Sequence, residues 1–147
     1  MHKVTSEDLH VLSEFRFELR RFLRASEELC KAEGVTPTQY QMLLQTRSVP
    51  GRTWILVHEL ATRLQSSPHG AVALVSRGEA AGLVIRKPSP VNRREVQVHA
   101  TPLGRQVLER LAMKHLHELG TLAKVFQTLE PLTQDLGALD AAADSPA

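Results

Sequence analysis

A single cysteine, Cys30, stands in the whole sequence. No disulfide can form within the chain, and this usage fits a reducing cytoplasm. Aromatic residues are scarce, at 4%. No stretch approaches eighteen consecutive apolar residues, so no membrane-spanning helix is expected. The start of the chain, Met1-His2-Lys3-Val4-Thr5-Ser6-Glu7-Asp8, lacks a basic segment followed by an apolar core and does not read as a signal peptide. Motifs that carry chemistry are missing as well. His58-Glu59 and His117-Glu118 open like a zinc-protease signature, but Thr62 and Thr121 occupy the positions of the second histidine. His115 and His117 are two apart and face differently on a helix. There is no Gly-rich phosphate loop and no nucleophile elbow. The expectation is no catalytic residue, no metal, no cofactor and no enzyme activity.

The charge that is present is unevenly placed. The whole chain carries +2 over 147 residues. Residues 52–110 hold nine Arg/Lys against four Glu, a net +5; residues 1–51 hold seven of each sign; residues 111–147 hold two Lys against five acids, a net −3. The basic excess lies in the middle of the chain, where a polyanionic partner would explain it.

Leu9, Leu12, Phe15, Leu19 and Phe22 recur at steps of three and four, predicting one apolar stripe of a long helix over 6–32, ended by Gly34. Thr36-Pro37 starts a second helix, with Thr36 as N-cap and Gln39 completing a capping box. Tyr40, Leu43 and Leu44 are its expected core face, and Pro50-Gly51 breaks the chain. Residues 52–55 read as a short apolar bridge, one strand of a small sheet. Residues 56–64 read as helix, with Leu60, Ala61 and Leu64 inward. Ser67-Pro68 repeats the cap-plus-proline start of a helix reaching Ala81, and Gly82 supplies its stop.

Residues 83–87 and 95–100 read as two strands, the second burying Val96 and Val98 and exposing Glu95, Gln97 and His99. Between them lies Pro88-Ser89-Pro90-Val91-Asn92-Arg93-Arg94, a basic hairpin tip. Thr101-Pro102 opens a long helix with Leu103, Val107, Leu108 and Leu111 apolar. A separate last helix is expected over about 121–138, with Pro131 kinking or ending it, and residues 140–147 should fray.

Helix, turn, helix and arginine-tipped hairpin in that order make a winged helix-turn-helix. The fold class is therefore mainly α with a small β-hairpin wing, flanked by N- and C-terminal dimerisation helices. The expected division is 1–35 as an N-terminal dimerisation helix, 36–101 as the DNA-binding unit, and 102–147 as C-terminal dimerisation helices with a frayed tail. The terminal helices carry Leu, Val and Phe that the winged unit cannot bury, so a homodimer is expected.

The chain resembles the MarR family of bacterial transcription regulators over nearly all its length. The resemblance rests on Thr36-Pro37-Thr38-Gln39-Tyr40-Gln41-Met42-Leu43-Leu44, on Glu59-Leu60-Ala61, and on Ala71 to Arg77 followed by Glu79-Ala80-Ala81-Gly82-Leu83-Val84. Asn92-Arg93-Arg94 and Leu103-Gly104-Arg105 complete it. It implies a homodimer on a palindromic operator, commonly released by a small ligand, often an aromatic acid. Three features depart from the family pattern. Ser89 and Asn92 replace the usual wing aspartates, which questions wing rigidity. Gly78 stands where a core leucine is usual, which suggests a soft recognition helix and predicts that Gly78→Ala or Gly78→Leu stabilises. Ser66-Ser67-Pro68-His69-Gly70 offers few long donors to base edges, so phosphates and DNA shape should carry much of the binding.

Candidate DNA contacts are Ser67, His69, Ala73, Ser76 and Arg77 on the recognition helix and Arg93 and Arg94 on the wing. The alternatives are an ordinary surface histidine at 69, an ion pair at Arg77 and a solvated basic turn at the wing. Arg16, Arg20 and Arg24 recur at i,i+4 and read either as a cationic wall for a carboxylate or as a solvated face balanced by Glu27 and Glu28. The resemblance points to a crevice near the dimer interface, giving a ligand set of Arg16, Arg20, His10, Tyr40 and Met42. Cys30 lies late in its helix with no evident activating environment and reads as structural. The resulting expectation is a cytoplasmic, sequence-specific DNA-binding regulator, a repressor released by a small aromatic carboxylate. The rival is a winged-helix protein-interaction module without specific operator binding.

Overall fold

The computed structural model describes residues 3–143. Among them the order is α1 (Ser6–Ala32), α2 (Pro37–Ser48), β1 (Trp54–Leu56), α3 (Val57–Arg63), α4 (Pro68–Ala80), β2 (Val84–Pro88), β3 (Val96–Ala100) and α5 (Pro102–Ala143). The fold is mainly helical, with a three-stranded antiparallel sheet in the order β1-β3-β2. Two compact units result. One holds the chain up to Ser26 and from His115 on; the other holds Glu27 to Lys114.

Local chemistry sets the helix boundaries. Gln39 N–H donates to Thr36 Oγ1 at 3.1 Å and Thr36 N–H donates to Gln39 Oε1 at 3.0 Å, a complete capping box. Ser67 Oγ accepts from Gly70 N–H at 3.0 Å, and Thr101 Oγ1 accepts from Gly104 N–H at 3.0 Å. At the other ends Gly34 and Gly82 both take φ +74°, the left-handed turn that a Cβ would strain. Glu59 caps α3 through the Leu56 N–H at 3.0 Å and also pairs with Arg52, whose guanidinium lies 4.3 Å from the Trp54 ring centroid.

The second unit encloses the main core. Met42 and Leu43 of α2, Ile55, Leu60, Val75 of α4, Val84, Val98 and Leu111 of α5 are all at most 1% exposed. Arg110 and Lys114 of α5 pair with Glu33 just beyond α1, at 2.9 and 3.5 Å. The Arg110 hydrogen bond is the main cause holding the Glu33 carboxyl below its usual pKa. In the first unit Phe15 meets Phe126 edge-on, with ring centroids 5.5 Å apart, and Ser26 Oγ lies 2.7 Å from His115 Nε2.

Several expectations change. No break separates a last helix over 121–138: α5 runs from Pro102 to Ala143, through Gly120 and Pro131. Residues 112–119 are mostly strong helix formers, and one glycine costs only about 1 kcal/mol against them. Of the expected frayed tail, residues 140–143 belong to α5, and residues 144–147 lie outside the described residues. On α2 the inward residue is Met42 rather than Leu44, which is 37% exposed. Thr46 is also buried, because its hydroxyl donates to the Met42 carbonyl at 2.8 Å. On β3 Gln97 is buried and Val96 only half-buried. β3 is the central strand, and the Gln97 amide oxygen sits 2.8 Å from His99 Nε2, so a polar side chain is satisfied there. Leu103 is 48% exposed.

Gly78 is not a soft point waiting for a side chain. A Cβ there would lie 2.5 Å from Met42 Cε and 3.0 Å from Val84 Cγ2. Met42 reaches across from α2 and fills the space that a residue-78 side chain would take.

Candidate nucleic-acid interface

α3, the turn over residues 64–67 and α4 form the helix-turn-helix, and β2, β3 and the loop between them form the wing. The turn contains Gln65 at φ +52°, the one non-glycine among the described residues with positive φ. α4 buries Ala71, Leu74, Val75 and Gly78 and leaves Ser67, His69, Ala73, Ser76 and Arg77 exposed. The five recognition-helix candidates therefore all reach solvent. Arg93 and Arg94 are also exposed, at the far end of the wing. The side chains of Arg77, Arg93 and Arg94 engage no hydrogen-bond or ion-pair partner among the described residues.

The wing tip is ordered without aspartates. Ser89 is buried and its hydroxyl accepts from the Val91 and Asn92 N–H groups at 3.3 and 3.4 Å. Asn92 Oδ1 accepts from Arg94 N–H at 3.1 Å, an Asx turn. Backbone bonds from Glu95 N–H to Asn92 C=O and from Ser89 N–H to Glu95 C=O, both 3.0 Å, close the loop. Ser89 and Asn92 thus organise the turn that presents the two arginines.

Arg86 went unremarked in the sequence except as one charge. It sits on β2, donates to Ser76 Oγ at 2.8 Å and to the Val72 carbonyl at 2.9 Å, and pairs with Glu79. It fastens the base of the wing to the recognition helix. Ser76, one of the DNA candidates, spends one acceptor site on it. Arg86 and Glu79 are seven apart on different elements, so only the α4–β2 packing could reveal the pair.

The ligand candidates fall in different places. His10, Arg16 and Arg20 are exposed on α1 in the first unit. Tyr40 and Met42 belong to α2 in the second unit, where both are buried and Met42 is fully enclosed. Burial, and secondly the neighbouring Cys30, raise the Tyr40 hydroxyl pKa. Cys30 itself is buried. No cluster of potential metal ligands exists among the described residues.

Residues 33–95 match the MarR family model. This stretch covers α2 to the tip of the wing and stops just before β3. The chain carries a MarR-family winged helix-turn-helix. A curated relative, a putative transcriptional regulatory protein for the hcr operon of Thauera aromatica, is 34% identical over 103 residues. That match spans 67% of this chain and 60% of the relative. Among solved structures, AbsC of Streptomyces coelicolor, a MarR family transcriptional regulator, aligns with TM-score 0.71 at 19% identity, covering 94% of this chain and 99% of AbsC. Sco3205 of the same organism, solved in complex with DNA, aligns with TM-score 0.71 at 20% identity, covering 100% and 93%. A mutant MarR of E. coli complexed with operator DNA aligns with TM-score 0.68 at 20% identity, covering 92% and 99%. At these identities the structural likeness establishes the fold. No described helix is long and apolar enough to cross a membrane.

Proposed function

We propose that this protein is a transcription regulator, not an enzyme, and that it binds a palindromic operator as a homodimer. The observation that carries the reading is the pairing of two exposed surfaces on one unit. One is the outward row of α4, from Ser67 to Arg77; the other is the Arg93-Arg94 tip, fastened to α4 through Arg86. A helix of this kind fits the major groove, and arginines on a narrow tip suit a minor groove or phosphates. Two such units related by a dyad would read half-sites about 10 bp apart. The relatives solved with DNA support the same use of the fold.

The exposed apolar side chains of the first unit, including Leu9, Leu12, Phe17 and Leu116, support the homodimer. Repression, and release by a small aromatic carboxylate, form the finer part of the proposal. Exposed Arg16 and Arg20, which have no partner among the described residues, are one place for the carboxylate. The rival reading as a protein-interaction module rests on Gly78 and on the bland start of the recognition helix, Ser66-Ser67-Pro68-His69-Gly70; Met42 filling the space at Gly78 removes the first of these.

Gel shift on a selected operator and on random DNA tests the proposal. Arg93→Ala should weaken operator binding and flatten the dependence of log affinity on log salt by about one unit per lost phosphate contact. Equal affinity for selected and random DNA would reject a sequence-specific regulator. Unchanged affinity of Arg93→Ala at two salt concentrations would remove the wing from the interface.

A further inference from the structure

A cavity of about 470 Å³ opens in the second unit between the C-terminal half of α2 and α3. Its size falls in the range of small-molecule pockets, roughly 300–1,000 Å³. Val49, Pro50 and Ile55 give it apolar walls, and Gln45, His58 and Arg63 bring polar groups to it. It shares no residue with the set Arg16, Arg20, His10, Tyr40 and Met42.

The charges around the cavity do not cancel. Arg52 is committed to Glu59 and to the Trp54 ring. Glu59 is therefore neutralised, and it also caps α3. His58 faces Glu95 at 3.6 Å. Arg63 is left as the uncompensated cation. Its Nε–H donates to Gln45 Oε1 at 2.9 Å, which holds the guanidinium at the cavity, and no described residue engages its terminal nitrogens. A guanidinium fixed by one edge, with its other donors open beside an apolar wall, suits a carboxylate on an apolar body.

Arg63 also ends α3. Leu64 is the C-cap, and Gln65 follows in the left-handed region at φ +52° before α4 begins at Pro68. Strained backbone of this kind tends to gather at ligand clamps and switches. A group that draws on Arg63 acts on the turn that sets the start of the recognition helix.

We propose that this α2–α3 cavity is a binding site for a small apolar carboxylate, held by Arg63 and covered by Val49, Pro50 and Ile55, and that its occupation weakens operator binding through the 64–67 turn. The second half rests on the DNA-regulator reading; the first half does not.

Calorimetry on the full chain tests the site, with biphenyl-4-carboxylate, 4-phenylbutyrate and octanoate as probes and biphenyl-4-carboxamide as the uncharged control. At least one acid should bind at micromolar to millimolar concentration, and the amide at least tenfold more weakly. Arg63→Gln should weaken the acid at least tenfold. Thr62→Trp, which fills the cavity from an exposed position, should abolish the heat, with melting curves checking that both variants fold. Binding lost in Arg16→Ala but kept in Arg63→Gln and Thr62→Trp would overturn the site, as would no heat from any of the three acids or equal binding of the amide. Operator titrations are read separately. An acid that binds here and leaves operator affinity unmoved overturns the regulatory half alone, whereas absent operator binding by the ligand-free protein rejects the DNA reading and leaves the calorimetric result standing.

Discussion

The two units differ in how completely they bury their apolar residues. The enclosed core cluster, from Cys30 to Leu111, lies wholly in the second unit. In the first unit Val4, Leu9, Leu12, Phe17, Leu23 and Leu116 are each at least 50% exposed, a degree matched in the second only by Val91 and Met113. A long helix can be amphipathic along its whole length and still lack enough local surface to cover its stripe. The second unit is closed by its own contacts, and the first leaves apolar surface exposed, the surface that the proposed homodimer would cover. Damage should therefore act differently on each. The second unit should respond to changes of a single atom, and the first to changes in protein concentration.

The largest effect is expected at Gly104. A Cβ there would lie 2.1 Å from the Leu83 carbonyl oxygen, a backbone atom that cannot turn aside. The same carbonyl accepts from Thr101 N–H at 3.0 Å, and Thr101 Oγ1 donates to the Gly82 carbonyl at 2.5 Å. The start of α5 is thus pinned against the end of α4. Gly104→Ala should lower stability by at least about 3 kcal/mol, the upper end of overpacking costs, measured by urea unfolding. A loss under 1 kcal/mol would show that the second unit yields more than its packing suggests.

Leu116→Glu probes the first unit. Removing a 65% exposed leucine and adding a charge should raise the dimer dissociation constant at least tenfold in sedimentation equilibrium. Trp54 is the only tryptophan and lies in the second unit, so its emission should stay as in the parent. A monomeric parent would end the comparison. A shift in Trp54 emission would show that the second unit is not closed on its own.

Gly78 sharpens the contrast at one residue. Gly78→Leu must displace Met42 and should cost about 1–3 kcal/mol. Gly78→Ala trades a helix-propensity gain of about 1 kcal/mol against movement of the Met42 methyl, and should come out near neutral. Adding Met42→Ala to Gly78→Leu should recover at least half of the loss, because the two side chains compete for one space. Additive losses in the double variant would mean that they do not.

That pair also shows where the sequence stops being readable. The cap-plus-proline starts at Thr36, Ser67 and Thr101 and the stops at Gly34 and Gly82 were legible because each is settled within a few residues. The winged order and the basic tip were legible for the same reason. Met42 and Gly78 lie on different helices, and only the packing of α2 on α4 shows that one substitutes for the other. Arg86 was invisible as a positioning residue, and the burial of Thr46 and Gln97 was missed because hydrogen bonds to Met42 and His99 offset their polarity. The 42-residue span of α5 is not legible locally, because Gly120 and Pro131 are outweighed only by the sum of the helix formers around them. Of the candidate interface, the exposed residues were legible and the scaffold that aims them was not.

The smallest expected effect concerns His99, where the closed unit meets solvent. It pairs across strands with Trp54 and Ile85, and its ring lies 6.4 Å from the Trp54 ring. Burial, and secondly the Lys87 cation, lower its pKa from 6.5. A histidine whose pKa is lower folded than unfolded binds protons more readily when unfolded. Its contribution to stability is therefore present above about pH 6.5 and is lost as pH falls from there through the folded value. Lys87→Gln removes one cause of the shift, whereas His99→Gln removes the titrating group. The parent should lose more melting temperature between pH 7.5 and 5.5 than His99→Gln, with Lys87→Gln between them. If all three fall equally, the acid sensitivity lies in other groups, and the outer face of the sheet tolerates charge as freely as the exposed wing.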